Sequence, residues 1–172
     1  MMADDNNPMQ EAVYGLDDAR DLSFDLMGAE GATALVCESD PELREKLNLA
    51  LAEMGYRTAM PVTAAEVVRA IRFHLFDVVV VNERFDAADA QTNGVLQHLR
   101  SMVNPLRRRL FVVLVSDACR TMDHMAAFDR SVNLVIHRGD VDRAGGIIGQ
   151  AVADNRAFYH VFQETLRKMG KG

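Results

Sequence analysis

Four short polar stretches in this chain each follow an apolar run, and they hold the side chains best able to do chemistry. Glu38-Ser39-Asp40 follows ATALVC, Asn82-Glu83 follows four valines, Ser116-Asp117 follows LFVVLV, and His137 follows NLVI. If the ends of these runs meet, Glu38, Asp40, Glu83 and Asp117 could form an acidic pocket holding a cation weakly, although helix capping and solvation explain the same acids more simply. Cys37, Cys119, His124 and His137 are of the types that bind zinc. Cys37, however, ends an apolar run, where a thiol behaves as a small apolar residue, and Cys119 to His124 is no standard ligand spacing. No metal and no cofactor is expected. Gly139, Gly145, Gly146 and Gly149 fit neither a P-loop nor a dinucleotide-binding loop. There is no nucleophile elbow and no Ser-His-Asp order, so an enzyme is not expected.

The run-ends can meet only if the runs are neighbouring parallel strands. The central stretch is Phe76 to Phe85, FDVVVVNERF. An apolar run without polar alternation implies burial on both faces, as in a parallel sheet covered by helices. Such a strand delivers its last residue, here the amide Asn82, to the carboxyl edge, where open α/β folds bind ligands. Around it the chain alternates. A strand over Ala32–Cys37 precedes a helix opened by Pro41, capped by Ser39 or Asp40, with an inward face of Leu43, Leu47, Leu49, Leu51 and Met54, and stopped at Gly55. A short strand over Tyr56–Met60 leads to a helix capped by Thr63, with Val67, Val68, Ile71 and Leu75 inward. After the valine strand, a polar loop over Asp86–Asn93 precedes a helix with Val95, Leu96, Leu99 and Val103 inward, ending before Pro105. A strand over Leu110–Val115 follows. A short helix over Thr121–Phe128 carries a thin stripe of Met122, Met125 and Phe128. A strand over Val132–Ile136 precedes a final helix, capped by Asp140 and running from about Val141 to Met169. Five strands alternating with five helices predict an α/β fold, a doubly wound five-stranded parallel sheet.

With 172 residues, the chain is long enough for one domain with a full core and additions. No apolar run approaches the ~20 residues that would span a bilayer, so no membrane partner is expected. Met1 to Gln10 is polar and acidic, unlike a signal segment. The two cysteines lie outside any CxxC spacing, which fits a reducing cytoplasm. Charge is uneven. Residues 1–30 hold eight acids against one arginine, a net of −7, so the rest of the chain carries only +1 of the overall −6. Nucleic acid is therefore not expected as a partner, because phosphate binding needs a concentrated positive face. Arg107-Arg108-Arg109 reads as a solvated loop. Residues 1–31 read as an acidic, flexible leader hinged at Gly28 and Gly31, although Leu16, Phe24, Leu26 and Met27 could form a short docking segment within it.

From Ala32 to the start of the last helix, the chain resembles a response-regulator receiver domain of two-component signalling. The resemblance rests on ALVCESDP, the FDVVVVN strand some forty residues on, LFVVLVS, and NLVIH ahead of the final helix. It implies the flavodoxin-like strand order 2-1-3-4-5. It also implies an aspartyl phosphoacceptor after the third strand, a magnesium-holding acidic pair after the first, a hydroxyl after the fourth and a lysine after the fifth. The matching positions are Asn82 for the acceptor, Glu38 and Ser39 for the pair with Asp40 one step on, Ser116 for the hydroxyl, and His137 for the lysine, followed by Arg138 where proline is usual. An amide oxygen is a far poorer nucleophile than a carboxylate, and magnesium prefers anionic oxygens. His137, if unperturbed, is mostly neutral at pH 7. These departures point to a pseudo-receiver without phosphotransfer.

The last helix carries the other signal. Ile148, Val152, Asn155, Tyr159, Phe162, Leu166 and Met169 alternate in steps of four and three, an a/d seam with one polar position. Closing the domain takes three to four turns. Residues 32–155 are thus expected to form the domain and 156–172 to project from it. Asn155, Phe158, Tyr159, Phe162, Leu166 and Met169 are the expected interface. The expected function is a phosphorylation-independent, non-catalytic module in a bacterial signalling pathway, acting on a protein partner or as a homodimer through this helix. The acidic leader would tune or compete for that surface, and output would be a contact made in trans. Two alternatives are an active switch with its acceptor displaced to Asp40 or Asp86, and a small-ligand sensor using Glu38, Asn82, Ser116 and His137.

Overall fold

The apolar runs become strands because lateral pairing satisfies their backbone while both faces of the sheet are buried. In a computed structural model, which describes residues 31–170, the strands are β1 (Thr33–Cys37), β2 (Arg57–Ala59), β3 (Val78–Asn82), β4 (Phe111–Ser116) and β5 (Leu134–His137). They form one parallel sheet in the order β2-β1-β3-β4-β5. The helices are α1 (Pro41–Glu53), α2 (Ala64–Phe73), α3 (Gly94–Ser101), a single turn α4 (Asn104–Arg107), α5 (His124–Arg130) and α6 (Ala144–Lys168), the last preceded by a 3-10 turn over Arg138–Arg143. The segment expected to be a leader, residues 1–30, lies outside the described residues.

The four valines of β3 sit at the centre, in register with Ala34–Cys37 on one side and Phe111–Leu114 on the other. All four are fully buried, and each such side chain stabilises the fold by about 1.5–3 kcal/mol relative to exposure. Side chains alternate between the two faces. Ala34, Val36, Val78, Val80, Val113, Val115, Leu134 and Ile136 share a core with Leu43, Leu47 and Leu51 of α1 and Ile148 and Val152 of α6. The intervening set, Leu35, Val79, Val81, Val112, Leu114 and Val135, is equally buried on the other face. The buried side chains of α2, α3 and α5 (Val67, Ala70, Ile71; Val95, Leu96, Leu99; Ala127) fall outside the first core.

Local chemistry sets the helix limits. Asp40 caps α1, its carboxylate accepting from the N–H groups of Glu42 and Leu43 at 3.0 and 3.3 Å, with Pro41 in the first turn. Gly55 closes the helix at φ +86, a conformation that favours glycine. Thr63 caps α2 through the Glu66 N–H.

Several expected details are corrected. Leu49, Leu75 and Val103, expected to face inward, are exposed. Leu75 lies beyond the end of α2 at Phe73, and Val103 lies beyond the end of α3 and serves as the N-cap of α4. Pro105 sits inside that added turn, where its missing N–H costs nothing. The short helix begins at His124 rather than Thr121, because Met122 takes φ +61 and Asp123 caps Ala126 N–H at 2.9 Å. Its stripe of Met122, Met125 and Phe128 faces outward, Phe128 at 82% exposure. Asp140 does not cap the final helix. The 3-10 turn supplies the start of α6, with Ala144 N–H donating to the Val141 carbonyl. Asp140 instead accepts from the Thr121 hydroxyl and pairs with Arg143 at 2.5 Å.

Candidate functional site

Parallel pairing brings the ends of β1, β3, β4 and β5 to one edge, with Cys37 opposite Val81, Asn82 opposite Val115 and Ser116 opposite His137. There the Asn82 amide donates to Glu38 Oε2 at 2.6 Å, and its Oδ1 accepts from the Arg84 N–H at 2.9 Å. Glu38 is 3% exposed, and its other oxygen accepts from the Asp40 N–H at 2.9 Å. Asp40 gives one oxygen to the start of α1 and the other to Arg138 at 2.6 Å. Glu38, Asp40 and Asn82 therefore come together as expected, and Arg138 joins them. Ser39 is exposed. Magnesium prefers anionic oxygens. This donor set offers an amide at Asn82 where a third carboxylate would serve the ion, and Ser39 is exposed outside it, so it fits magnesium poorly. Among the described residues, no group of three or more His, Cys, Asp or Glu is arranged to hold a metal.

Ser116 turns away from this cluster. It is buried, donates to Glu83 Oε2 at 2.8 Å, and accepts from the Ala118 and Cys119 N–H groups. The other Glu83 oxygen accepts from the Asp117 N–H at 2.8 Å, so this buried carboxylate ties the end of β3 to the end of β4. His137 turns back on its own turn, where Nδ1 accepts from the Gly139 N–H at 3.0 Å. Asp86 accepts from the Ala64 N–H at the start of α2. Asp117 lies 3.9 Å from Arg84. Burial, and then the Glu38 carboxylate, push the Cys37 thiol well above the usual range, which keeps it a thiol.

Three further residues support the site in roles that a reading of strand ends does not give. Asn93 is completely buried, and its amide donates to the carbonyls of Asn82, Glu83 and Phe85 while Oδ1 caps α3 through Val95 and Leu96. It fixes the loop after β3. Glu83 acts as described, and the Thr121 hydroxyl accepts from the His137 N–H at 2.9 Å. Asn93 had a sequence signal, an N-cap residue just ahead of the apolar face that starts at Val95, and Glu83 was visible as a strand-end acid but not as a tie to β4.

At the opposite edge α6 runs on without a break at residue 155. Val152 is the last of its described residues to be buried. Beyond it, Asn155, Tyr159 and Leu166 are half-buried, while Phe158, Val161, Phe162 and Met169 are exposed. Phe158 stacks edge-on against Tyr159 with ring centroids 5.6 Å apart. The expected seam thus divides. Asn155, Tyr159, Phe162 and Leu166 line a groove of about 630 Å³ with Tyr56, Asp77, Pro105, Arg108, Arg109, Phe111, Val152, Arg156 and His160. Phe158, Val161 and Met169 lie outside that lining. Arg107 anchors the loop beside the groove, donating to the carbonyls of Leu110 and Ser131 at 2.9 and 2.8 Å, and its desolvation lowers its pKa.

No protein-family model and no curated protein matches the chain. Solved structures do match. The receiver domain of the Francisella response regulator 1452 is 15% identical with a TM-score of 0.56, over 72% of this chain and 98% of that one. A CheY-like response-regulator receiver domain protein from Methanospirillum hungatei is 13% identical at 0.57, over 74% and 98%. The receiver domain of the sensor histidine kinase PA1611 from Pseudomonas aeruginosa, which holds magnesium in its active site cleft, is 15% identical at 0.57, over 72% and 99%. The fold is that of receiver domains, with the strand order 2-1-3-4-5 and a long C-terminal helix.

Proposed function

We propose that this chain is a receiver-like signalling module that works without phosphotransfer, through protein contacts made by the distal part of α6. The observation that carries the proposal is the 2.6 Å bond from the Asn82 amide to Glu38. An aspartate at that position would set two carboxylates against each other, a pair that needs a shared proton or a cation. The amide supplies the missing hydrogen itself, so the pocket is satisfied internally. It is also a poor nucleophile. With Ser116 bonded to Glu83 and His137 to its own turn, neither side chain is aimed at an incoming phosphoryl group.

The exposed side chains Phe158, Val161 and Met169 have the character of an interface, and a second copy of the chain is the simplest partner for them. The setting we assign is a bacterial cytoplasmic pathway. Two measurements test the proposal together: intact mass after incubation with acetyl phosphate and magnesium, and sedimentation velocity of the wild type and of Phe158→Asp/Val161→Asp. Expected are no phosphoryl adduct, and a dimer that becomes a monomer in the variant. An adduct would overturn the phosphotransfer-free reading. A wild-type monomer would overturn the dimer.

A further inference from the structure

We propose that the groove at the amino edge of the sheet docks an acidic, amphipathic peptide segment of a partner protein. This goes beyond self-association but rests on the same reading of distal α6 as an interaction element. Charge and shape at the groove specify the occupant. Arg108 and Arg109 stand on the loop, with Arg156 and His160 facing them from the helix, and all four are exposed. Among the described residues, no side-chain hydrogen bond or ion pair engages them. The groove's lining holds one acid, Asp77, which accepts from the Thr33 N–H at 2.8 Å and keeps its charge. Among the described residues the lining therefore sets three arginines against one carboxylate, and the groove is net positive. Its walls are apolar where Tyr159 and Leu166 contribute, which suits Leu or Phe side chains presented at helical spacing. That combination disfavours nucleic acid, since three arginines around an apolar wall are too few for a phosphate track. Arg107 holds the loop in place, so the rim is preformed and little ordering is needed on binding.

Fluorescence anisotropy with the full chain tests this. The probe is a labelled synthetic helix of about four turns, with Leu and Phe on one face and Asp and Glu elsewhere. Controls are the same peptide with every acid changed to lysine, and a single-stranded oligonucleotide. The acidic peptide is expected to bind, to weaken with added salt, and to lose about tenfold or more in affinity in both Arg108→Glu/Arg109→Glu and Leu166→Asp. Thermal melts verify that these surface variants are folded. Phe158→Asp/Val161→Asp, which breaks self-association, is expected to leave peptide binding unchanged, so the two readings fail separately. The proposal is overturned if the acidic peptide does not bind, if it binds the charge-reversed variant equally, or if the lysine peptide or the oligonucleotide binds as well.

Discussion

The two edges of the sheet handle polarity in opposite ways. At the carboxyl edge, Glu38, Asp40, Asn82, Glu83, Ser116 and His137 all find partners within the protein. At the amino edge, Arg108, Arg109 and Arg156 have no side-chain partner among the described residues and stand beside apolar side chains of α6. A group that is already satisfied contributes to stability and has little left for a ligand, whereas an unsatisfied one is free to bind. On the proposed reading, the contrast would separate a structural edge from an interacting one, and it would reverse the usual expectation that an open α/β sheet works at its carboxyl end.

Substitutions can break that contrast, and the largest effect should come from Asn93. Replacing this buried cap with alanine strands three carbonyls and one helix start, and should cost about 3 kcal/mol in urea or thermal unfolding. Next is Asn82→Asp, which sets a second carboxylate against Glu38 and should cost about 2 kcal/mol at pH 7. Magnesium should then raise the melting temperature of the variant and leave the wild type unmoved. Equal magnesium response in both proteins would show that the native edge is not satisfied after all.

Acid should erode the same edge. The Thr121 hydroxyl, and then Arg143, hold the Asp140 carboxyl below the usual carboxylate range. Its contribution is therefore present above the unfolded-state value of about 4 and is lost as pH falls through the lower folded value. Unfolding midpoints measured from pH 6 downward should fall less steeply in Asp140→Asn. Arg138→Ala, which removes a half-exposed ion pair with Asp40, should cost less than about 1 kcal/mol. Smallest of all should be Phe158→Asp on α6, within about 0.5 kcal/mol of wild type in stability while changing association. A large stability loss there would mean that the helix end is part of the core.

The fold was legible because its signals are local. Unbroken valines, Pro41, Gly55 and the Thr63 cap each specify their own few residues, and the parallel sheet follows from their alternation. Glu38, Asp40 and Asn82 were legible as a cluster because strand ends in such a sheet must converge. The misreadings arose where one residue type serves two environments. Leu49, Leu75, Met125 and Phe128 are apolar yet exposed, and apolar composition does not guarantee burial. Asp140 has a cap's identity, but the 3-10 turn had already met the start of α6. Glu83 was unreadable as a buried tie, because its partners, Ser116 and Asp117, lie more than thirty residues away. The seam on α6 was found as one stripe and is two, since sequence spacing cannot tell which half of a stripe faces the loop around Arg107.

α6 is one uninterrupted rod of 25 residues, held on the sheet by Ile148 and Val152. From Val152, about 12 Å of helix leads back to the 3-10 turn and about 24 Å leads on to Lys168. The shorter part is clamped, with Val141 ahead of it and Ala144 and Ile148 within it all buried in the core. The helix is therefore a cantilever fixed at one end, and its longer arm carries the side chains of Asn155, Tyr159, Phe162 and Leu166 that line the groove.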